Sequence, residues 1–243
     1  MTQIVKYASG RGEPDLAIRQ AHWNSRATSY DGDFGCAPIR IKALDEVIAL
    51  TPQQAHVVID AGTGTGRTSR RLMSHLDPSA LVVGLDFSIE MLRQSRQRST
   101  HQTHPPAMVQ ADHTAVPFRS ASADVIISTF TLHHIPPSQQ LRVLREFRRV
   151  LANRGSLIIA DQVQADPPLD PAQMKAVIAQ TFYPHLAEND GIKKLSSYGE
   201  WPMQVDRLAE LMQQAGFGSL ELHRINSIVA VLGAMAPEPH QLA

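Results

Sequence analysis

A chain of 243 residues, 43% apolar and 19% charged, has the composition of a globular protein with one generous α/β core or two small ones. Its 23 lysines and arginines are balanced by 23 aspartates and glutamates, so it lacks the basic excess that phosphate-backbone binding needs, and no nucleic-acid partner is expected. The single cysteine, Cys36, excludes an internal disulfide and a multi-cysteine zinc site, which makes the reducing cytoplasm the expected compartment.

The first twenty residues contain no apolar run long enough for a secretory signal. The longest apolar stretch near the C-terminus, 228–237, is about half of what a membrane span requires. A soluble chain without a membrane span is therefore expected. Residues 1–36 are polar and mixed, with Trp23, Tyr30 and Phe34 set among hydrophilic neighbours. From residue 38 the pattern becomes regular, and Ile39, Ile41, Leu44, Val47, Ile48 and Leu50 supply the apolar face of a helix over 38–50.

Strands are then predicted at 56–60, 81–86, 107–112, 124–129 and 156–161, several of them continuous β-branched runs suited to burial on both faces. Helical patterns separate them. Thr68, Leu72, Met73 and Leu76 share one face, and Leu141, Leu144, Phe147 and Leu151 another. Ser88 reads as an N-cap, and Gly155 as part of a turn after a helix. Five strands with helical crossovers argue for a mostly parallel sheet covered on both sides.

Residues 162–202 interrupt this rhythm with five prolines, a short helix from Pro171 and the aromatics Phe182, Tyr183, Tyr198 and Trp201. Such an insertion after a strand suits a lid or substrate wall. A helix over 205–215 follows, ending at Gly216. Two more strands, 217–225 and 228–233, are joined too tightly for a crossover and must run antiparallel to each other.

The stretch VVIDAGTGTGRTS, 57–69, places a glycine-rich turn between the first strand of this series and a helix. Ligands of open α/β sheets sit at the carboxyl ends of the strands, and amides at a helix start favour an anionic group. The spacing G-x-G-x-G, with Arg67 where a third dinucleotide glycine would fall, disfavours NAD.

DAGTGTG (60–66) resembles the first motif of class I S-adenosylmethionine-dependent methyltransferases. GLDFSIEML (84–92), VQADHTAVPF (109–118), ADVIISTFTLHHI (123–135) and LREFRRVLANRGSLIIAD (144–161) resemble the segments that follow it in that family, in order. The branch most similar contains the ubiquinone and menaquinone C-methyltransferases and many natural-product enzymes. This resemblance implies a Rossmann-like, doubly wound α/β fold with a seven-stranded sheet, mostly parallel with an antiparallel C-terminal strand. To it are added an N-terminal helical segment and a helical insertion after the fifth strand. The expected organisation is a single domain: 1–37 covering cofactor and substrate, 38–161 with 203–243 forming the core, and 162–202 inserted on the substrate side.

The implied cofactor is S-adenosyl-L-methionine, leaving as S-adenosyl-L-homocysteine. Asp60 would hold its ammonium through water, and Gly62, Thr63, Gly64 and Gly66 would let its methionine part lie against the backbone. Asp86 would accept both ribose hydroxyls, as the ribose acid of dinucleotide enzymes does. Phe87 and Met91 would flank the adenine, Asp112 would accept its amino group with His113 alongside, and the Thr129 carbonyl would meet the ammonium. WNSRATSYD (23–31) resembles the segment whose tyrosine often covers the cofactor carboxylate, which makes Tyr30 the candidate.

Methyl transfer from a sulfonium is an in-line displacement, so the protein mainly aligns the groups and excludes water. A base is needed only where the nucleophile must lose a proton. His133, His134 and Asp161 are the catalytic candidates, beside positioning without a dedicated base. Relatives that methylate DNA or protein amides carry an Asn or Asp before two prolines and an aromatic, where this chain has STFTL (128–132). Arsenite-methylating relatives need several cysteines. A small organic substrate remains, with Trp23, His133, Phe182, Tyr183, Tyr198 and Trp201 as candidate walls. His22, His75, His101, His104, His223 and His240 show no ligand spacing, and no metal is assigned.

Two alternatives stay open: an enzyme that binds the same cofactor for other chemistry, and a catalytically silent partner subunit. The sequence leaves the acceptor atom (C, O or N) and the oligomeric state, monomer or homodimer, undecided.

Overall fold

The computed structural model describes residues 15–32, 37–183 and 202–238. Its sheet is built from β1 (Val57–Ala61), β2 (Leu81–Asp86), β3 (Ala107–Gln110), β4 (Ala123–Thr129), β5 (Leu151–Gln162), β6 (Gly218–Arg224) and β7 (Val229–Met235). The spatial order is β3-β2-β1-β4-β5-β7-β6. The first five strands pair in parallel, and β7 runs antiparallel to both β5 and β6. This is the expected doubly wound, mostly parallel seven-stranded sheet with one antiparallel strand near its end.

Burial on both faces follows from alternation along each strand. Ile59, Ile126, Leu157 and Ile159 belong to a core under α5 (Pro137–Val150) and α7 (Val205–Gln214), where Val143, Leu144, Phe147, Leu208, Leu211 and Met212 complete it. Their chain neighbours Val58, Val125, Ile127 and Ile158 belong to the other core. There α2 (Pro38–Leu50), α3 (Arg67–Met73) and α6 (Pro171–Phe182) contribute Ala43, Val47, Leu72, Ile178 and Phe182. The N-terminal helix α1 (Leu16–Arg26) is capped by Asp15, whose carboxylate accepts the Ala17 amide. It packs beside α4 (Ile89–Arg98), itself capped by Ser88.

β2 and β4 flank β1 on opposite sides, so the chain leaves β1 in one direction and returns on the other. The crevice beyond the carboxyl ends of β1, β2 and β4 is the topological switch point at which such sheets bind ligands.

Several boundaries shift by a residue or two from the sequence reading, and two of the differences have a structural cause. Leu151 and Gly155 belong to β5, which continues directly from α5 with no separate turn. Leu151 pairs with Ala123 and Ser156 with Val125, so the extra residues form an irregularity in the ladder. Arg154 takes a positive φ there, and a Cβ on Gly155 would come within 3.0 Å of the Asp124 carbonyl oxygen. β3 stops at Gln110, before Asp112, because the Asp112 carboxylate turns onto the Thr114 amide at 2.7 Å and begins a loop.

The start of β1 is tied across the sheet by Asp124, whose Oδ2 accepts the His56 and Val57 amides at 2.8 and 3.0 Å. Asp124→Ala removes both acceptor contacts and is expected to lower unfolding free energy by about 1–2 kcal/mol. Asp124→Asn, which keeps one carbonyl acceptor, should lose less. Urea denaturation of the three proteins measures the difference.

Candidate functional site

The loop after β1 turns back through three glycines, Gly62, Gly64 and Gly66, all at positive φ. Side chains are also sterically excluded at two of them. A Cβ on Gly62 would lie 2.2 Å from Thr131 Oγ1, and one on Gly66 would lie 1.9 Å from Ser95 Oγ. Gly64 differs, since a Cβ there would meet nothing within 4 Å. Beneath the loop, fully buried Asp60 accepts from Thr63 Oγ1, the Ser69 amide and Ser69 Oγ through its Oδ2, at 2.7–3.0 Å. Its Oδ1 has no hydrogen-bond partner among the described residues. Burial pushes the Asp60 carboxyl above the usual carboxylate range, against the pull of those hydrogen bonds and of Arg70.

Asp86 ends β2 and ties the loop to the neighbouring strand. Its two oxygens accept the Gly64 amide at 2.9 Å and the Ser88 amide at 2.8 Å. Burial nevertheless pushes it up to about 6, with Asp60 adding repulsion. Farther along this side, Asp112 accepts from the Thr114 hydroxyl and amide. Burial pushes Asp112 up, but those bonds, His113 and Arg19 outweigh it and leave the carboxyl below its ordinary value. His113 is buried edge-on against Phe147, and burial lowers its imidazole to about 4.

α1 closes this side. Gln20 Nε2 donates to the Phe87 carbonyl at 2.7 Å, and Asn24 Oδ1 accepts from Ser88 Oγ and the Glu90 amide. The same helix carries Arg19 and Trp23 to the wall of a cavity of about 100 Å³ that is partly open to solvent. The loop residues 62–65 form another part of that wall, and Asp86, Phe87, Met91, Asp112, His113 and Thr129 also line it.

Beyond β4 the wall is Phe130, Thr131, His134 and Ile135, with Tyr30 and Arg40 opposite. Phe130 holds a positive φ, unusual for a bulky side chain, and its amide is fixed by the Ala160 carbonyl at 2.7 Å. Arg40 lies over its ring at 4.5 Å and donates to the Tyr30 hydroxyl oxygen at 2.9 Å. His134 packs edge-on against Trp23 with ring centroids 4.7 Å apart. Burial holds its imidazole well below the usual histidine range, with His133, Arg40, His22 and Arg26 adding to the shift.

His133 and Asp161 do not line the cavity. Asp161 at the end of β5 accepts the Leu132 amide at 2.7 Å and the His133 amide at 3.3 Å, and hydrogen-bonds the His133 Nδ1. This pair fixes the 3₁₀ turn Leu132–His134 from behind. Phe182 and Tyr183 likewise lie in the core, where the apolar face of α6 packs on α2 and the sheet. They stand one layer behind the cavity, with Phe182 touching Phe130 edge-on at 5.7 Å. Tyr198 and Trp201 lie outside the described residues. The Thr129 carbonyl accepts from Thr131 Oγ1 at 3.1 Å.

Sequence reasoning missed Arg19, Asp31, Arg40, Thr65, Thr68, Phe130 and Thr131, all on the cavity wall. Residues 16–26 read as a helix would have placed Arg19, Trp23 and their neighbours on one face, since they stand four apart.

With this geometry in view, the similarities have structural meaning. A family model described as a methyltransferase domain matches residues 58–155, from β1 into β5. A demethylmenaquinone methyltransferase of Listeria monocytogenes serotype 4a (strain HCC23) is 31% identical over 173 residues, covering 68% of this chain and 71% of its own length. A malonyl-[acyl-carrier protein] O-methyltransferase of Xylella fastidiosa (strain M23) is 33% identical over 192 residues, 79% of this chain but 59% of that protein. Among solved structures, Burkholderia thailandensis 1,6-didemethyltoxoflavin-N1-methyltransferase with bound 1,6-didemethyltoxoflavin and S-adenosylhomocysteine superposes with a TM-score of 0.69. That match covers 96% of this chain and 94% of the other at 16% identity. The chain belongs to the class I S-adenosyl-L-methionine-dependent methyltransferases.

The raised value of Asp86 gives a stability signature. Its carboxyl titrates at about 6 in the folded protein and near its ordinary 3.8 when unfolded, so folding loses stability as pH rises from about 4 to 6. Asp86→Asn cannot ionise and escapes that loss. Relative to the parent, the variant should gain about 2–3 kcal/mol between pH 4 and pH 7. Urea denaturation series at pH 4, 5, 6 and 7 measure it; a constant difference across the series would refute the assignment.

Proposed function

We propose that this enzyme transfers the methyl group of S-adenosyl-L-methionine to a small organic acceptor held between α1 and the end of β4. The observation that carries this reading is the single cavity wall that joins the glycine loop to an aromatic and imidazole surface. When bound, the cofactor supplies an activated methyl group on a sulfonium. The residues present fit it. A buried carboxylate oxygen of Asp60 lacks a partner among the described residues, and the space a Cβ of Gly64 would take is open. Asp86 and Asp112 line the cavity as acceptors on the opposite side of the loop.

In this reading Gly62, Thr63 and Gly64 bind the methionine part, and Asp60, one layer below, holds the loop through Oδ2 and leaves Oδ1 to reach the ammonium through water. Asp86 takes the ribose hydroxyls. Phe87, Met91, Asp112 and His113 take the adenine. Tyr30 covers the amino-acid end from the N-terminal segment.

Trp23, Phe130, His134 and Ile135 form the acceptor's walls and exclude water from it. Kept neutral by burial, the His134 imidazole is a weak base. It accepts a hydrogen bond from the acceptor and orients it, and takes the proton only from an acceptor that loses one. His133 and Asp161 act through His134 as positioning residues, because they brace the turn that carries it. The two relatives are named for demethylmenaquinone and for malonyl-[acyl-carrier protein], so the shared core does not select the acceptor. The walls around the acceptor do.

Calorimetric titration tests the cofactor reading. S-adenosylhomocysteine should bind in the micromolar range and NADH should not. Gly64→Ala should weaken the thioether at least about tenfold, while the backbone strain of the substitution stays near 1 kcal/mol. A second experiment concerns the acceptor. Label transfer from methyl-labelled cofactor to a panel of small aromatic acceptors should fall at least about tenfold in His134→Ala, with affinity for S-adenosylhomocysteine unchanged. Equal loss of affinity would place His134 on the cofactor instead.

A further inference from the structure

Arg19 is 6% exposed, an unusual burial for an arginine, and it lies on the cavity wall beside Phe87, Asp112 and His113. Its contacts account for only part of its guanidinium. Nη2 donates to Gln139 Oε1 at 3.3 Å and stands 3.9 Å from Asp112 Oδ2, too far for a hydrogen bond. The guanidinium carbon lies 5.8 Å from the centre of the Phe87 ring. Nε is buried with no hydrogen-bond partner among the described residues. Leaving a buried donor of a charged group unsatisfied is costly, so a site that retains one is built for an acceptor that arrives later.

We propose that Arg19 is a nucleoside-binding residue of the cofactor site, and that with Asp112 it selects adenine. The inference rests on the cavity being the cofactor's, as proposed above. Adenine presents an amino donor next to a ring-nitrogen acceptor. Asp112 offers an acceptor and Arg19 a donor on one stretch of wall, a complementary pair for that edge. Hypoxanthine reverses both groups, with a carbonyl in place of the amine and an N–H in place of the acceptor nitrogen. It would set oxygen against the Asp112 carboxylate and N–H against the guanidinium. A site that hydrogen-bonds a polar edge rejects the analogue lacking it much more strongly than an apolar pocket can.

Arg19 comes from α1, outside the segment 58–155 that carries the family pattern. The helix is docked on the Asp86–Glu90 turn by Gln20 and Asn24, so the same element that covers the nucleoside end would also read it.

The test is calorimetric titration of the full chain with S-adenosylhomocysteine and with S-inosylhomocysteine, using the parent, Arg19→Met and Gln139→Leu. Arg19→Met keeps side-chain length and apolar volume. Gln139→Leu removes the contact that anchors Arg19 without altering the nucleoside wall. The parent should prefer the adenine compound by about a hundredfold or more. Arg19→Met should lose about tenfold or more for that compound and little for the inosine one, narrowing the preference. Gln139→Leu should retain most of the preference. An unchanged preference in Arg19→Met overturns the proposal, as does equal weakening by Arg19→Met and Gln139→Leu, which would make Arg19 only an anchor for α1. A parent protein that binds neither compound would bring down the cofactor reading of the cavity, a result distinct from failure of Arg19 alone. Melting temperatures without ligand verify that both variants fold.

Discussion

Asp60 is the residue on which the site's geometry depends. Its carboxylate is buried at the end of the central strand, where an ionised group must gather donors or give up its charge. The donors come from the loop that follows and from the helix beyond: Thr63, then Ser69 through both amide and hydroxyl. To bring Thr63 and Ser69 back over the strand end, the chain must reverse within a few residues. That reversal requires positive φ at Gly62, Gly64 and Gly66. The next strand completes the turn, since the Leu85 carbonyl accepts both the Gly62 and Thr63 amides, at 2.7 and 3.0 Å, and Asp86 accepts the Gly64 amide. One buried carboxyl group thus fixes the shape of the loop, and the loop fixes where the cavity opens.

The features legible in the sequence are those written locally. Alternating buried pairs such as Val58–Ile59 and Ile126–Ile127 mark strands covered on both faces, and the sheet has the order their crossovers imply. The glycine loop was readable because φ constraints and glycine identity coincide over five residues. Leu151 was harder to place. Its spacing suits the apolar stripe of α5, but pairing with Ala123 draws it into β5, a preference only the neighbouring strand can reveal. Arg19 was invisible for a similar reason. What makes it notable is burial against Gln139, 120 residues away, in a helix whose own composition is polar. Phe182 and Tyr183 look like wall residues in sequence because they are aromatic and lie in an insertion. The packing of α6 on α2 turns them inward instead.

The cavity divides into two electrostatic halves with different rules. Asp86 and Asp112 line one half, and their backbone and hydroxyl partners oppose the rise that burial imposes. The other half, formed by Trp23, Phe130, Arg40 and His134, presents aromatic rings, a guanidinium and a neutral imidazole with no carboxylate among them. On the proposed reading, a zwitterionic cofactor and an organic acceptor have different solvation needs, and this cavity offers each a separate surface. The boundary falls at Thr129, Phe130 and Thr131. Thr131 is also the side chain that denies space to any Cβ at Gly62, so the two halves are in mechanical contact.

The docking of α1 also bears on how far this chain can diverge. Gln20 donates to the main-chain carbonyl of residue 87, a group that every amino acid provides. The side chain at 87 can therefore change without breaking that hydrogen bond. The same holds in reverse, because residues 15–32 lie outside the 58–155 segment that the methyltransferase-domain model matches. A new cover could be exchanged onto the same core while its main-chain attachment points stay in place. In such an architecture the glycine loop and the helix that covers it are separable parts, and a change of cover requires no redesign of the loop that Asp60 holds.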